Sequence, residues 1–269
     1  MEKRFSKEEK NVRVHPNRLD IPLKRKKPTV WAIWNDLFHE DVPFSFTIKV
    51  SQSIWAAGRE RKHIFLLLTK RIKRAAEFFR KYPYSAFPNN PHYWLGITVC
   101  NQAEADEKIP LLLQIPAAVR WVSYEPALGP LNLKKYFCGN DCEDFGLCQM
   151  EEFQRDQCSQ NGRIGWLICG GETGPGARPV HPDWAKSVRD QCQAAGVPFF
   201  FKSWGEWAPR DNPNAYTGWA KHYQGDEWID GIDKKENTMF RIGKKAAGRL
   251  LDGREWNELP QRRNDSCMK

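Results

Sequence analysis

No stretch of the 269-residue chain is apolar over the roughly 20 residues that a membrane-spanning helix needs. The charged amino terminus also lacks the apolar core of a secretion signal. These absences argue against a membrane-spanning or exported protein and make a cytoplasmic location the expectation. The sequence has no recognition-helix pattern, no aromatic RNA-binding motif, no paired Cys-x2-Cys knuckles and no evident nucleophile–base pair, so no single signature names a reaction. Disulfide staples are not expected, because eight cysteines scattered through a chain this long read as reduced thiols. Cys100, Cys169 and Cys192 fall within elements expected to form the core, where each reads as a small apolar residue.

What is present is enough for a substantial core: 41% hydrophobic residues and 12 tryptophans. The net charge of +9 is unevenly placed, since residues 1–81 carry 20 Lys/Arg against 9 Asp/Glu, a balance of +11, which leaves −2 for the rest. Lys24-Arg25-Lys26-Lys27 and Lys70-Arg71-Ile72-Lys73-Arg74 are its densest runs. Such a field attracts phosphate by releasing counterions, so nucleic acid is a candidate partner through residues 1–81. A solvated basic face is the plainer reading of the same charges.

Apolar runs begin near 30, 63, 94, 119, 166 and 197, and Trp166-Leu-Ile-Cys169 shows no polar alternation, as expected of a parallel strand covered on both faces. Helical faces separate several of them: Phe46, Val50, Ile54 and Ala57; Ile72, Ala75, Ala76 and Phe79; Ala105, Ile109, Leu112 and Leu113, interrupted by Pro110. Trp184, Val188, Cys192 and Ala195 form a fourth, opened by His181-Pro182-Asp183 and closed by Gly196. This alternation predicts an α/β fold, a partial (β/α) barrel of about six parallel strands, with an open doubly wound sheet as the alternative. The expected organisation is a basic segment over 1–29, a barrel-like domain over 30–207 with an insertion at 134–163, and an extension over 208–269. Residues 208–240 show no clear periodicity, whereas Asp252-Gly253 between short apolar runs predicts a terminal hairpin.

Ligands of β/α folds gather at the carboxyl ends of the strands. The residues expected there are Asp36, Thr69, Lys70, Glu125, Gly170, Gly171, Glu172 and Lys202. Lys70 and Lys202 suit a carboxylate or phosphate, and Asp36, Glu125 and Glu172 suit amine or ribose groups. Gly170 and Gly171, lacking Cβ, could let a ligand approach the backbone. His39 and His181 read as structural hydrogen-bonding residues. In the insertion, Cys138, Cys142, Cys148 and Cys158 are candidate zinc ligands by residue type, with a loop of free thiols as the competing reading.

Seven segments carry a family likeness: Asp36-Leu-Phe-His39, Leu68-Thr-Lys-Arg71, Trp94-Leu-Gly96, Glu125-Pro126, Gly170-Gly-Glu-Thr-Gly-Pro-Gly-Ala-Arg-Pro179, Phe201-Lys-Ser-Trp-Gly-Glu-Trp207, and the block over 243–256. In this order they resemble an uncharacterised bacteriophage protein family named after gene products thirty-seven and sixty-eight. That family is similar to radical S-adenosylmethionine enzymes, in which an amino-terminal three-cysteine motif holds a [4Fe-4S] cluster and the cluster cleaves S-adenosylmethionine. The resemblance implies a radical-SAM-like barrel acting with a partner, and the basic charge of residues 1–81 makes a nucleotide or nucleic acid the expected substrate to be modified. It also invites comparison of Gly170-Gly171-Glu172 with the motif that contacts the cofactor's amino group. No cysteine precedes Cys100, so a truncated relative without the cluster site is expected, explained by a late-assigned start, a broken gene or a shortened binding protein. The alternative function is a non-catalytic nucleic-acid or protein-binding β/α domain.

Overall fold

The structure, a computed structural model, describes residues 12–33, 35–88, 90–137, 163–216, 218–233 and 238–261. Cys138, Cys142, Cys148 and Cys158 lie outside the described residues. Six strands follow one another in chain order in one sheet: β1 (Val30–Ile33), β2 (Ile64–Thr69), β3 (Tyr93–Thr98), β4 (Val119–Tyr124), β5 (Trp166–Gly170) and β6 (Phe199–Ser203). Pairing is parallel between β1 and β2, β4 and β5, and β5 and β6. This unbroken order is that of a partial (β/α) barrel; a doubly wound sheet would reverse its order at a switch point. The chain divides into two compact units, Met1–Leu95 with Ile115–Ala118, and Gly96–Gln114 with Val119–Lys269.

In the first unit, α1 (Ile21–Lys24) is a single turn, and α2 (Phe44–Arg61) buries Thr47, Ser51, Ile54, Ala57 and Gly58. Of the face read from the sequence, Ile54 and Ala57 are buried and Phe46 and Val50 are half-buried. Phe46 and Val50 line a cavity with Val12, Val14, Leu19 and Ile54. α2 stops at Lys62, whose backbone is left-handed at φ 56° and whose N–H donates to Gly58 O at 2.8 Å. α3 (Ile72–Lys81) presents Phe78 and Phe79 to Phe38, Phe87 and Tyr93, with Phe87 and Tyr93 rings 4.6 Å apart. Each such ring contributes about 2 kcal/mol relative to exposure. β1 departs from expectation: its residues alternate between exposed and half-buried, and among the described strands it lies at the edge of the sheet, paired with β2.

In the second unit, α4 (Gln102–Leu113) starts at Asn101, whose side chain accepts from Glu104 N–H. It continues through Pro110, which falls in the last turn and on the exposed side. α5 (Pro182–Ala194) buries Trp184, Ala185, Val188 and Cys192. It begins at His181, whose Nδ1 accepts from Asp183 N–H at 3.2 Å. Where β4, β5 and β6 are in register, Trp121 lies opposite Trp166 and Leu167 opposite Phe199, and the Trp166 ring meets Trp121 at 5.6 Å and Phe200 at 6.3 Å.

Residues 208–240, expected to be irregular, contain most of a second, antiparallel sheet ordered β7 (Trp207–Pro209), β10 (Thr238–Arg241), β8 (Trp219–Gln224) and β9 (Glu227–Asp230). Ala215, Ala220 and Phe240 form its core, and Gly225-Asp226, both at positive φ, turn β8 into β9. A further single-turn helix, α6 (Lys244–Ala247), precedes the Asp252-Gly253 turn, where the expected hairpin reduces to one bridge between Leu251 and Arg254. No described helix is long and apolar enough to cross a membrane.

Candidate functional site

The predicted strand-exit residues fall into separate groups with different chemistry. In the first unit, Asp36 follows β1 and is saturated. Its Oδ1 accepts from the Thr69 hydroxyl at 2.7 Å and from Phe38 N–H at 3.0 Å; its Oδ2 accepts from Lys70 N–H at 3.2 Å and Arg71 Nη1 at 3.0 Å. Thr69 is buried and in turn accepts from Arg71 N–H at 2.9 Å. Asp36 therefore ties the exit of β1 to that of β2 and has no unused oxygen to offer a ligand. Lys70 contributes its backbone to this knot and is itself exposed. Beside it lies a cavity of about 910 Å³ whose lining includes Arg13, His15, Arg18, Asn35 and Asp36.

In the second unit, Glu125, just beyond β4, reaches across β5. Lys202 Nζ from β6 lies 3.2 Å from its Oε1, and the Ser123 hydroxyl donates to its Oε2 at 3.1 Å. Gly170 makes this crossing possible: a Cβ there would stand 2.5 Å from Glu125 Oε1. The Lys202 side chain is 54% exposed and the Glu125 side chain 18%. A single contact from an exposed lysine is worth at most about 1 kcal/mol, so an incoming anion can take Lys202 over at little cost.

Gly171 serves a different need. A Cβ there would fall far inside contact distance of the Trp204 carbonyl oxygen, and one on Gly205 would meet the Glu172 carbonyl. The loops after β5 and β6 cross at these two glycines, sealed by Gly171 N–H to Ser203 O at 2.9 Å and Glu206 N–H to Glu172 O at 3.0 Å. The space left by the missing Cβ is thus filled by the protein's own backbone rather than left for a ligand. Glu172 is likewise engaged: Arg178 donates Nε to Oε2 at 2.9 Å, Nη2 to Oε1 at 3.0 Å, and its backbone N–H to Oε2 at 2.8 Å. Arg178 hydrogen bonds hold the Glu172 carboxyl below its usual range.

The described thiols of β5 and α5 are poor metal ligands. Burial raises the Cys169 and Cys192 thiols well above their ordinary range, the reverse of what a thiolate ligand needs. No group of three or more His, Cys, Asp or Glu able to hold a metal occurs among the described residues. A Glu172 clamped by Arg178 offers no free carboxylate to an amino group. Of the two histidines, His39 accepts Asp41 N–H through Nδ1 at 3.2 Å. His181, capping α5, is buried, which lowers its pKa.

Sequence reasoning alone does not single out Arg178, Trp219 or Arg241. Arg178 carries a signal, as a cation six residues beyond Glu172 in a glycine-rich loop. Trp219 and Arg241 gain meaning only through the pairing of β8 with β10.

No curated protein and no solved structure matches the chain. A family model does match it, over residues 1–260, and the chain belongs to that family of proteins of unknown function, DUF5131.

Proposed function

We propose that this protein binds a nucleotide, free or within nucleic acid, at the carboxyl ends of its β/α strands in the cytoplasm, as the binding half of a modification reaction. The observation that carries this reading is the Glu125–Lys202 pair lying across Gly170. Lys202 supplies an accessible ammonium for a phosphate. Glu125, held by Ser123, supplies an acceptor for ribose hydroxyl or amine hydrogens. Binding then consists of exchanging Lys202 from Glu125 to the ligand's anion, which frees one carboxylate oxygen for the sugar. The resemblance to an uncharacterised bacteriophage family that is similar to radical S-adenosylmethionine enzymes belongs to this proposal as a resemblance only. No chemical step is assigned through a cluster.

Isothermal titration of the full chain with adenosine and guanosine nucleotides tests the reading. Lys202→Ala and Glu125→Gln are expected to weaken binding about tenfold each, the scale of one charge-assisted hydrogen bond. Affinity indifferent to both substitutions would sink it.

One observation favours the second reading, non-catalytic contact with nucleic acid through the basic first unit: Arg13, His15 and Arg18 line the 910 Å³ cavity beside β1. In that case the paired Arg13→Ala and Arg18→Ala changes abolish binding, and Lys202→Ala leaves it intact.

A further inference from the structure

The face of the antiparallel sheet beyond the barrel strands alternates indole and cation. In register across three strands, Arg241 of β10 stands between Trp207 of β7 and Trp219 of β8. Lys221 lies two residues along β8 from Trp219, hence on the same face. With Trp228 and Arg178 these side chains line a cavity of about 640 Å³, a volume suited to one small ligand. The loop over 176–179 completes its wall, and no carboxylate is among the described lining residues.

The rings are held in place. Trp207 is buried and donates Nε1 to Ala177 O at 2.7 Å; Trp228 packs against Tyr223 with centroids 5.2 Å apart and against His181 at 6.1 Å. Trp219, by contrast, is 65% exposed, with its Nε1 donating to Asp230 Oδ1 at 3.3 Å. Lys221 and Arg178 are matched to Asp230 and Glu172, whereas Arg241 donates to an uncharged carbonyl, Gly174 O at 3.1 Å. The cavity therefore joins a large exposed ring face to a guanidinium spent on a neutral acceptor.

A planar base with a phosphate satisfies both features. Every base offers a π-face to stack on an aromatic ring, and guanidinium recognises phosphate through a fork of donors. A neutral sugar would leave Arg241 unanswered, and an acidic peptide would leave the indole uncovered. We infer that this cavity is a second site, taking one nucleotide with its base against Trp219 and its phosphate at Arg241. It shares a ligand class with the strand-end reading but rests on other side chains, so either can fail alone.

The test uses the full chain and a fluorescently labelled single-stranded oligonucleotide, followed by anisotropy, with the fold monitored by circular dichroism. Trp219→Ala is expected to weaken binding about tenfold, the effect of removing one stacking partner, and Trp219→Phe to restore most of it. Arg241→Gln should weaken binding and reduce the salt slope by about one. Displacement by a mononucleotide as effective as by unlabelled oligonucleotide identifies a free-nucleotide site; displacement by oligonucleotide alone identifies a strand. Photocrosslinking with a halogenated-uracil oligonucleotide, mapped by mass spectrometry, supplies the second readout, with Trp219 the expected adduct. No binding, binding unchanged in a folded Trp219→Ala protein, or crosslinks confined to residues 1–81 would each overturn the inference.

Discussion

Arg178 grips Glu172 with both ends of its guanidinium, Nε at 2.9 Å from one carboxylate oxygen and Nη2 at 3.0 Å from the other. The arginine side chain is 59% exposed and the glutamate 28%, so solvent screens the pair and its worth to the fold is small. Arg178→Ala is expected to lower stability by less than about 1 kcal/mol in urea titrations. The same change should weaken nucleotide binding in the aromatic cavity, whose wall it removes. A large loss of stability with unchanged binding would reverse this assignment.

Two adjacent glycines should respond in opposite ways to alanine. Gly171→Ala drives a methyl into the Trp204 backbone and is expected to cost about 3 kcal/mol, the upper range for overpacking. At Gly170→Ala the three atoms nearest the new methyl all belong to the Glu125 side chain, which can rotate away. That variant should stay folded and lose its Glu125–Lys202 contact. Thermal unfolding separates the two, and calorimetry with nucleotide reads the second.

Asp36→Asn leaves one acceptor where two served four donors. Its amide would face Lys70 N–H and Arg71, donor against donor. A loss of about 2 kcal/mol is expected, the scale of hydrogen bonds to a charged group. Hydrogen exchange should localise the loosening to the exits of β1 and β2, not to the second sheet.

His181 predicts a pH dependence. Burial lowers its pKa from an ordinary value near 6.5 and outweighs the opposing pull of Asp183, so the folded state takes up its proton less readily than the unfolded chain. The stability it confers is fully present above that ordinary value and is lost as pH falls through it toward the lowered one. Melting temperature should therefore drop as pH falls below the ordinary histidine value near 6.5. His181→Asn, which keeps a cap for α5, should flatten that drop, and an unchanged slope would remove His181 as its cause.

The inner barrel strands are readable because burial on both faces leaves a largely apolar run, as in β3, where all six residues are buried. β8 and β9 escape for the converse reason. Trp219, Glu227 and Asp230 are exposed, and their strands carry no regular apolar alternation. The Gly225-Asp226 pair is nevertheless a legible hairpin signal. Strand exits name Glu125 and Lys202 individually, but their meeting depends on β4, β5 and β6 lying in register. Gly170 and Gly171 look like room for a ligand because a sequence does not say whose atoms fill the space beside a glycine.

The crossing of the loops after β5 and β6 is made of peptide atoms, which no side-chain exchange can retune. Randomising residues 171–172 or 204–206 should accordingly yield misfolded proteins rather than new specificities. Libraries directed at Trp219, Lys221 and Arg241 vary the recognition surface while leaving that crossing untouched, which makes the outer sheet the place to engineer a different ligand.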